Sequence, residues 1–281
     1  MTTGAEIVHP SGEDPVARTA SNVVGGPRGR LARSSRYWWS PLRILIVITT
    51  AAYAVGYVLD LSCRGTGWAS PERYEHLCYS DIPPLYSLRG FADGLIPYLQ
   101  TQPGQTPLEY PVITGIFMQI SAVITRALTG AFEGLDTGRT FFDVNVLLLL
   151  IPLVVAVAAT ALTVKRRPWD AALVALAPTV ILAATVNWDL LPLAFAGCCL
   201  LMWSRSRPLA AGILLGLAIA AKFYPLFFIG AFLVLTLRTG RWRAFVLLLL
   251  GTVASWFAVN IPFMVANFEG WSFFYQFSQE R

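Results

Sequence analysis

Asp81 is a carboxylate whose sequence neighbours would fix its direction. It stands in Tyr79-Ser80-Asp81-Ile82-Pro83-Pro84, and the two prolines stiffen the backbone directly after it. A carboxylate held in one direction can accept the proton of a hydroxyl group as a general base. A solvated acid before a rigid turn gives the same pattern, so the residues leave both interpretations open.

Two further polar segments interrupt apolar sequence. Lys222 lies in Ala221-Lys222-Phe223-Tyr224-Pro225, and a lysine there either binds a phosphate as a point charge or extends its stem to lipid headgroups. Asn187-Trp188-Asp189 separates two apolar runs. An ionisable residue at membrane depth is costly and indicates function by default, whereas a short exposed turn is the alternative.

A third polar stretch is rich in glycine, proline and tyrosine. It contains Gly90-Phe91-Ala92-Asp93-Gly94-Leu95-Ile96-Pro97-Tyr98 and Leu108-Glu109-Tyr110-Pro111. Tyr-Pro at the start of an apolar run suits a helix that enters the membrane interface. Turn formation alone explains these residues, but their aromatic rings are also compatible with a carbohydrate site.

The cysteines and histidines predict no metal site. Cys63 and Cys78 share one polar loop, so a disulfide is permitted if that loop is extracytoplasmic. Cys198 and Cys199 lie in an apolar run and are expected to be small buried residues. The two histidines stand apart from each other, and no pair of cysteines has the spacing of a metal ligand set.

The composition is that of an integral membrane protein. The 281 residues are 56% hydrophobic and 13% charged, whereas soluble domains carry about 25% charged residues. The net charge is +5. Because the basic residues cluster between apolar runs, they favour cytoplasmic loops over a nucleic-acid surface. We therefore predict an all-α protein with several membrane spans.

The apolar runs divide the chain into a tail and a membrane domain. Residues 1–40 are rich in Gly, Ser, Pro and Arg and predict a disordered, basic cytoplasmic tail, followed by a transmembrane domain over 41–281. The first span is predicted at Leu42–Leu59 and a large outer loop at about 60–143. The later spans are predicted at Val144–Val164, Ala171–Val186, Leu190–Trp203, Leu209–Ala221, Phe223–Leu237 and Ala244–Val265.

The topology depends on Val112–Leu128, which is apolar enough to enter the membrane. If this segment crosses, the basic loops at 165–167, 205–207 and 238–243 all lie outside, against the positive-inside rule. If it dips in and stays on the outer leaflet, all three lie inside. We expect the second arrangement, which places the isolated polar segments together on the extracytoplasmic face.

The ordered set of motifs resembles the GT-C membrane glycosyltransferases. It is most similar, over about residues 42–281, to glycosyltransferase family 87, the polyprenol-phosphate-mannose-dependent mannosyltransferase type found mainly in actinobacteria. The motifs are the early acid, Gly-x-x-Pro-Tyr, Tyr-Pro, Asn-Trp-Asp and Ala-Gly-x-x-x-Gly-x-Ala-x-x-x-Lys-x-Tyr-Pro. The resemblance implies a GT-C-like helical bundle with interfacial helices in a large first extracytoplasmic loop, in a bacterial plasma membrane.

The resemblance also implies a reaction and a set of partners. Such enzymes move a sugar with inversion from a polyprenyl-phosphate donor to a hydroxyl of a cell-envelope glycan or glycolipid. Mannose is favoured, and another sugar such as arabinose stays open. We expect the bilayer, the lipid-linked donor and the acceptor as partners, and no nucleic acid. No cofactor is expected because the donor has no diphosphate to bridge, although a divalent metal stays open.

Roles for individual residues follow from the same resemblance. Asp81 would be the general base, with Glu109 in reserve and Asp60 and Asp93 as competitors, because Pro83-Pro84 departs from the usual Asp-x-x-Val-Tyr form. Lys222 would neutralise the leaving phosphate, assisted by Arg89 or Arg64. The residues expected to line the substrate cavity are Asn187, Asp189, Tyr86, Tyr98 and Tyr110.

Two expectations concern the protein as a whole. A non-catalytic transporter or flippase of lipid-linked intermediates is the alternative function, since short spans and polar residues near the membrane midplane also occur in transporters. GT-C enzymes usually have more spans than this sequence provides. We therefore expect the chain to be incomplete at its C-terminus.

Overall fold

The computed structural model describes residues 40–164 and 167–280, together with Thr19. The predicted tail, apart from Thr19 and Ser40, and most of the first basic loop lie outside these residues. The described residues form helices and no strand, which confirms the all-α prediction. Four helices are long and apolar enough to cross a membrane: Pro41–Thr66, Val112–Ala131, Thr137–Thr163 and Trp242–Ala266.

The helices are numbered here in chain order. They are α1 (Pro41–Thr66), α2 (Glu72–Glu75), α3 (Ile82–Leu88), α4 (Val112–Ala131), α5 (Thr137–Thr163), α6 (Ala172–Ala175), α7 (Pro178–Ala183), α8 (Leu190–Ser204), α9 (Pro208–Ala221), α10 (Phe228–Thr239), α11 (Trp242–Ala266) and α12 (Phe268–Gln279). Short 3-10 turns at Pro168–Ala171 and Tyr224–Phe227 precede α6 and α10.

Capping residues set the limits of the long helices. Ser40 precedes α1, and its hydroxyl accepts the Arg43 N–H at 3.4 Å. Asp136 does the same for α5, accepting the Arg139 N–H at 2.8 Å. Gly67 ends α1 with φ of 70°, a conformation that glycine adopts at little cost. These caps satisfy backbone groups that the helix ends leave without a partner.

Glycines allow α9 and α11 to pack with their backbones in contact. A Cβ on Gly212 would overlap the carbonyl of Leu248, and one on Gly216 would overlap the Thr252 carbonyl and the Ser255 hydroxyl. Small residues at a helix interface permit this close approach in membrane proteins. Because position 212 meets 248 and position 216 meets 252, the two helices run in the same direction.

The helix directions separate two ends of the bundle. Helices α5 and α8 also run in the same direction, since Trp188 bonds to Asn145 at one end and Arg205 bonds to the Leu162 carbonyl at the other. The end that contains Trp188 is called the site end, and the opposite one the basic end. The described arginines of the basic-end loops are Arg167, Arg205, Arg207, Arg238, Arg241 and Arg243.

Helix α4 begins and ends at the site end. Near its start, Thr114 donates to the Ala221 carbonyl at 2.7 Å, and near its end Arg126 donates to the Phe91 carbonyl. The next helix, α5, then starts beside the end of α1, where Arg139 bonds to the Gly65 carbonyl at 2.9 Å. These contacts place both ends of α4 at the site end of the bundle. That Val112–Leu128 does not cross the membrane stays a prediction.

Several predicted boundaries were wrong. Helix α1 continues past Leu59 to Thr66, and α5 begins at Thr137 rather than Val144. The polar residues that suggested loops pair between these helices, with Arg64 and Asp143 in a 2.7 Å salt bridge. The connecting segments of the predicted 60–143 loop are therefore 67–111 and 132–136, on either side of α4.

One predicted span is interrupted, and another begins as a 3-10 turn. The predicted span Ala171–Val186 consists of the end of a 3-10 turn, α6 and α7, and Pro178 starts the last of these pieces. The predicted span Phe223–Leu237 likewise starts as a 3-10 turn that contains Pro225. Pro178 stands at the break and lacks the N–H that a continuous helix requires. Pro152 and Pro262 lie inside the unbroken helices α5 and α11, so a proline alone does not predict where a helix stops.

Candidate functional site

Asp81 lies at the start of α3 and is held from two sides. Its backbone N–H donates to the Val186 carbonyl at 2.8 Å. The Tyr79 hydroxyl donates to Oδ1 at 2.5 Å, and the Tyr110 hydroxyl donates to Oδ2 at 3.3 Å. Since a carboxylate has about four acceptor positions, Asp81 keeps capacity for a further hydroxyl.

A buried network fixes the segment that contacts Asp81. The Ser80 hydroxyl donates to the Thr185 carbonyl at 2.7 Å, and the Thr185 hydroxyl donates to Asp60 Oδ2 at 2.6 Å. Asp60 is buried in α1, so in this structure it serves as a hydrogen-bond acceptor inside the bundle. Asp93, the other competing acid, is exposed in a turn.

The two tyrosines that contact Asp81 are held in their protonated form. The hydrogen bond to Asp81, together with desolvation, raises the pKa of Tyr79 to about 12. Burial, followed by the negative charges of Asp81, Glu109 and Asp189, raises the pKa of Tyr110 as well. Both phenols therefore donate hydrogen bonds to the carboxylate at neutral pH.

Lys222 and Asp189 form an ion pair where α9 ends and α8 begins. Asn187 orients the acid, since its Oδ1 accepts the Asp189 backbone N–H at 2.9 Å. The side chain of Lys222 is 36% exposed and that of Asp189 is 47% exposed. Lys222 has three N–H donors, so it can hold Asp189 and a ligand oxygen together.

Trp188 connects the ion pair to the Asp81 cluster. It is 1% exposed, and its indole N–H donates to Asn145 Oδ1 at 2.7 Å. Its ring meets the Tyr110 ring edge-on, with the centroids 5.3 Å apart. Tyr110 therefore contacts Asp81 through its hydroxyl, and through its ring it contacts Trp188, the residue before Asp189. The structure thus brings Asp81, Tyr110 and Asp189 together with Lys222.

The two predicted helper arginines are already paired with carboxylates. Arg89 binds Glu109 through two hydrogen bonds of 2.6 and 2.8 Å, and both side chains are largely buried. Arg64 binds Asp143 in the same bidentate way. Glu109 lies next to Tyr110, so the Arg89 pair borders the site. Within the described residues, the contacts of Arg64 are with Asp143 rather than with the Asp81 cluster.

Two of the tyrosines that were expected to line the substrate cavity are buried. Tyr86 is 2% exposed and stacks on Phe141, with the centroids 4.4 Å apart. Tyr98 is 3% exposed, and its hydroxyl donates to the carbonyls of Tyr110 and Pro111 at 2.8 Å each. Both rings therefore pack inside the protein, and neither presents a face to a substrate. Tyr110 alone of the three is partly exposed.

The cysteines divide into a bonded pair and two thiols. Cys63 at the end of α1 forms a disulfide with Cys78, three residues before Asp81. Cys199 is buried in α8, whereas Cys198 is half-buried. Among the described residues, no group of three His, Cys, Asp or Glu side chains could hold a metal ion.

Tyr79 and Thr185 are site residues that the sequence interpretation missed. Tyr79 stands two positions before Asp81, a distance at which a side chain can bond to its neighbour in a turn, so the string Tyr79-Ser80-Asp81 contained a signal. Thr185 contacts Asp60 across 125 positions, and nothing in the spacing indicates that contact.

The fold and the site define an α-helical membrane protein with a half-exposed carboxylate and an ion pair at one end of its bundle. The sequence model of glycosyltransferase family 87 matches residues 110–280. The chain therefore belongs to this family and is a glycosyltransferase. No curated protein and no solved structure matches it.

Proposed function

We propose that this glycosyltransferase moves a sugar, with mannose favoured, from a polyprenyl-phosphate donor to a hydroxyl of a cell-envelope glycan or glycolipid. Family membership favours an enzyme over the transporter alternative. The observation that carries the proposal is the position of Asp81, which is fixed by two tyrosine hydroxyls beside the Asp189–Lys222 pair.

Asp81 acts as the general base in the proposed reaction. It takes the proton of the acceptor hydroxyl while that oxygen attacks the anomeric carbon opposite the phosphate. The carbon–oxygen bond to the phosphate breaks, and its electron pair leaves with the phosphate. One displacement of this kind inverts the configuration and leaves no covalent intermediate on the protein.

Lys222 stabilises the negative charge that develops on the leaving phosphate. A cation that is already in place lowers this barrier without reorganisation during the reaction. Asp189 holds the ammonium in position, and the partial exposure of both side chains lets a phosphate oxygen approach it. Arg89 lies next to this region but is bound to Glu109, so it supports Glu109 and the adjacent Tyr110 rather than the phosphate.

The charge distribution supports an extracytoplasmic site. The described loops of the basic end contain six arginines and one acid, Asp170, and cytoplasmic loops carry an excess of Lys and Arg. The Cys63–Cys78 disulfide lies at the site end, and disulfides persist in oxidising compartments outside the cytoplasm. We therefore propose that the site end faces the outside of a bacterial plasma membrane.

Transfer from radiolabelled polyprenyl-phosphate-mannose in membranes tests the proposal. Asp81→Asn is expected to lower transfer by at least about 100-fold at normal expression, because it removes the base and keeps the shape. Glu133→Gln, at an exposed acid between α4 and α5, is the control that keeps activity.

Two results would overturn parts of the proposal. Normal transfer by Asp81→Asn, with loss in Asp93→Asn, would move the base to Asp93. Transfer from a nucleotide sugar but from no polyprenyl-phosphate donor would reject the donor class.

A further inference from the structure

An open cleft lies between the segment that follows Tyr98 and the start of α12. Its volume is about 490 Å³. The residues that line it are Leu99, Thr101, Gln105, Pro107, Asn267, Glu269 and Gly270. A Cβ on Gly270 would overlap the Tyr98 carbonyl, so the two walls touch at this point and hold each other in place.

The polar groups of the cleft are free to bind a ligand. Within the described residues, the side chains of Thr101, Gln105 and Glu269 make no hydrogen bond to the protein. Asn267 uses its Oδ1 to accept the Gly270 N–H at 3.0 Å, which leaves its amide N–H groups available. The cleft thus presents a hydroxyl, two amides and a carboxylate, with donors and acceptors intermixed.

The charge of the cleft selects the kind of ligand. Glu269 is its one ionisable lining residue, and no lysine or arginine lines it. A phosphate would meet a negative charge there without any compensating cation. A neutral saccharide fits better, because each sugar hydroxyl both donates and accepts hydrogen bonds. The ring of Pro107 and the side chain of Leu99 supply apolar surface for the faces of a sugar.

The cleft is close along the chain to Tyr110, which contacts the proposed base. Pro107 lies three residues before Tyr110, whose hydroxyl contacts Asp81. Three extended residues span at most about 10 Å. We propose that this cleft binds neutral sugar units of the acceptor and directs the acceptor hydroxyl toward Asp81. The inference rests on the proposed function, since it assigns the acceptor side of that same site.

The binding test uses full-length protein in lipid nanodiscs and does not depend on turnover. Saturation-transfer NMR with methyl α-mannoside and mannobiose is expected to show contact with intact protein. The double variant Thr101→Ala/Gln105→Ala should lose about tenfold in affinity, because it removes two sets of hydrogen bonds at the protein surface. Glu133→Gln, which is exposed at the same end of the bundle, should bind as the intact protein does.

Kinetics supply the second measurement. In the same double variant, the KM for acceptor should rise about tenfold while the KM for donor stays unchanged. Equal saccharide binding by intact protein and double variant, or displacement of the saccharide by inorganic phosphate, would overturn the inference. Normal transfer by Asp81→Asn would reject the proposed base only, because the NMR result does not involve catalysis.

Discussion

Tyr110 contacts several parts of the site. Its hydroxyl bonds to Asp81, its ring packs on Trp188, and its backbone follows Glu109. Because it is buried and three carboxylates lie near it, its phenol is held neutral and acts only as a donor toward Asp81. A tyrosine in this position keeps the carboxylate oriented without adding a charge that would compete with Lys222.

The partner of Asp81 on its other side provides a residue-scale prediction. The Tyr79 pKa is about 12, and the hydrogen bond to Asp81 is its largest cause. Asp81→Asn should therefore lower the Tyr79 pKa toward 10, since the neutral amide no longer favours the protonated phenol. The ζ-carbon NMR signal of labelled tyrosine, assigned with Tyr79→Phe and followed from pH 9 to 12, measures this shift. An unchanged titration would show that the two side chains do not bond.

At the residue scale, sequence alone selected side chains that the structure brings close together, but it did not predict their hydrogen-bond partners. Asp81, Asp189 and Lys222 could be chosen because each ionisable group stands next to apolar or rigid sequence. Their pairing could not be predicted. Lys222 and Asp189 are 33 positions apart, and a separation of that size in the sequence does not indicate their distance in space. For the same reason, the sequence did not predict the salt bridge between Arg89 and Glu109.

Helices α9 and α11 pack with their backbones in contact. Their contact depends on glycines, because each of Gly212, Gly216 and Gly251 faces backbone of the other helix. The position of α9 determines that of Lys222, which directly follows its last residue. Packing between two apolar helices thus places the proposed phosphate-binding cation.

Substitution of one of these glycines tests that packing. Gly212→Ala should lower the free energy of unfolding by about 1–3 kcal/mol, because the added methyl overlaps the Leu248 carbonyl and must push the helices apart. Gly230→Ala in α10 is the matched control, since nothing lies within 4 Å of its Cβ position and alanine favours the helix. Thermal unfolding in detergent measures both. Equal melting temperatures for the two variants would contradict the close packing.

At the element scale, the sequence predicted most helices and few of their ends. Leu190–Trp203 and Leu209–Ala221 agree with α8 and α9 to within one residue at each end. Helices α1 and α5 were predicted too short because Arg64 and Asp143 read as loop residues. Only the fold shows that the two charges neutralise each other between neighbouring helices.

The excess of positive charge lies at one end of the bundle. The described loops of the basic end contain six arginines and one acid, Asp170, whereas Arg64, Arg89 and Lys222 of the site end are each paired with a carboxylate. This charge distribution agrees with the path of the chain, because both ends of α4 contact the site end. A crossing α4 would invert every later helix relative to α1.

Cysteine labelling tests this arrangement in cells. Gln102→Cys before α4 and Glu133→Cys after it should both react with an impermeant maleimide added from outside. Both positions are exposed. Arg207→Cys, in the loop between α8 and α9, should react only after the membrane is opened. Labelling of position 102 from outside and of position 133 from inside would show that α4 crosses the membrane.

The contact between Tyr98 and Gly115 has an evolutionary consequence. The Tyr98 ring lies where a side chain on Gly115 would begin, and its hydroxyl binds the two carbonyls that precede α4. A larger residue at 115 cannot fit while Tyr98 is present without displacing the segment that contains Tyr110. We therefore expect positions 98 and 115 to vary together among relatives, with a larger residue at 115 only where position 98 is smaller.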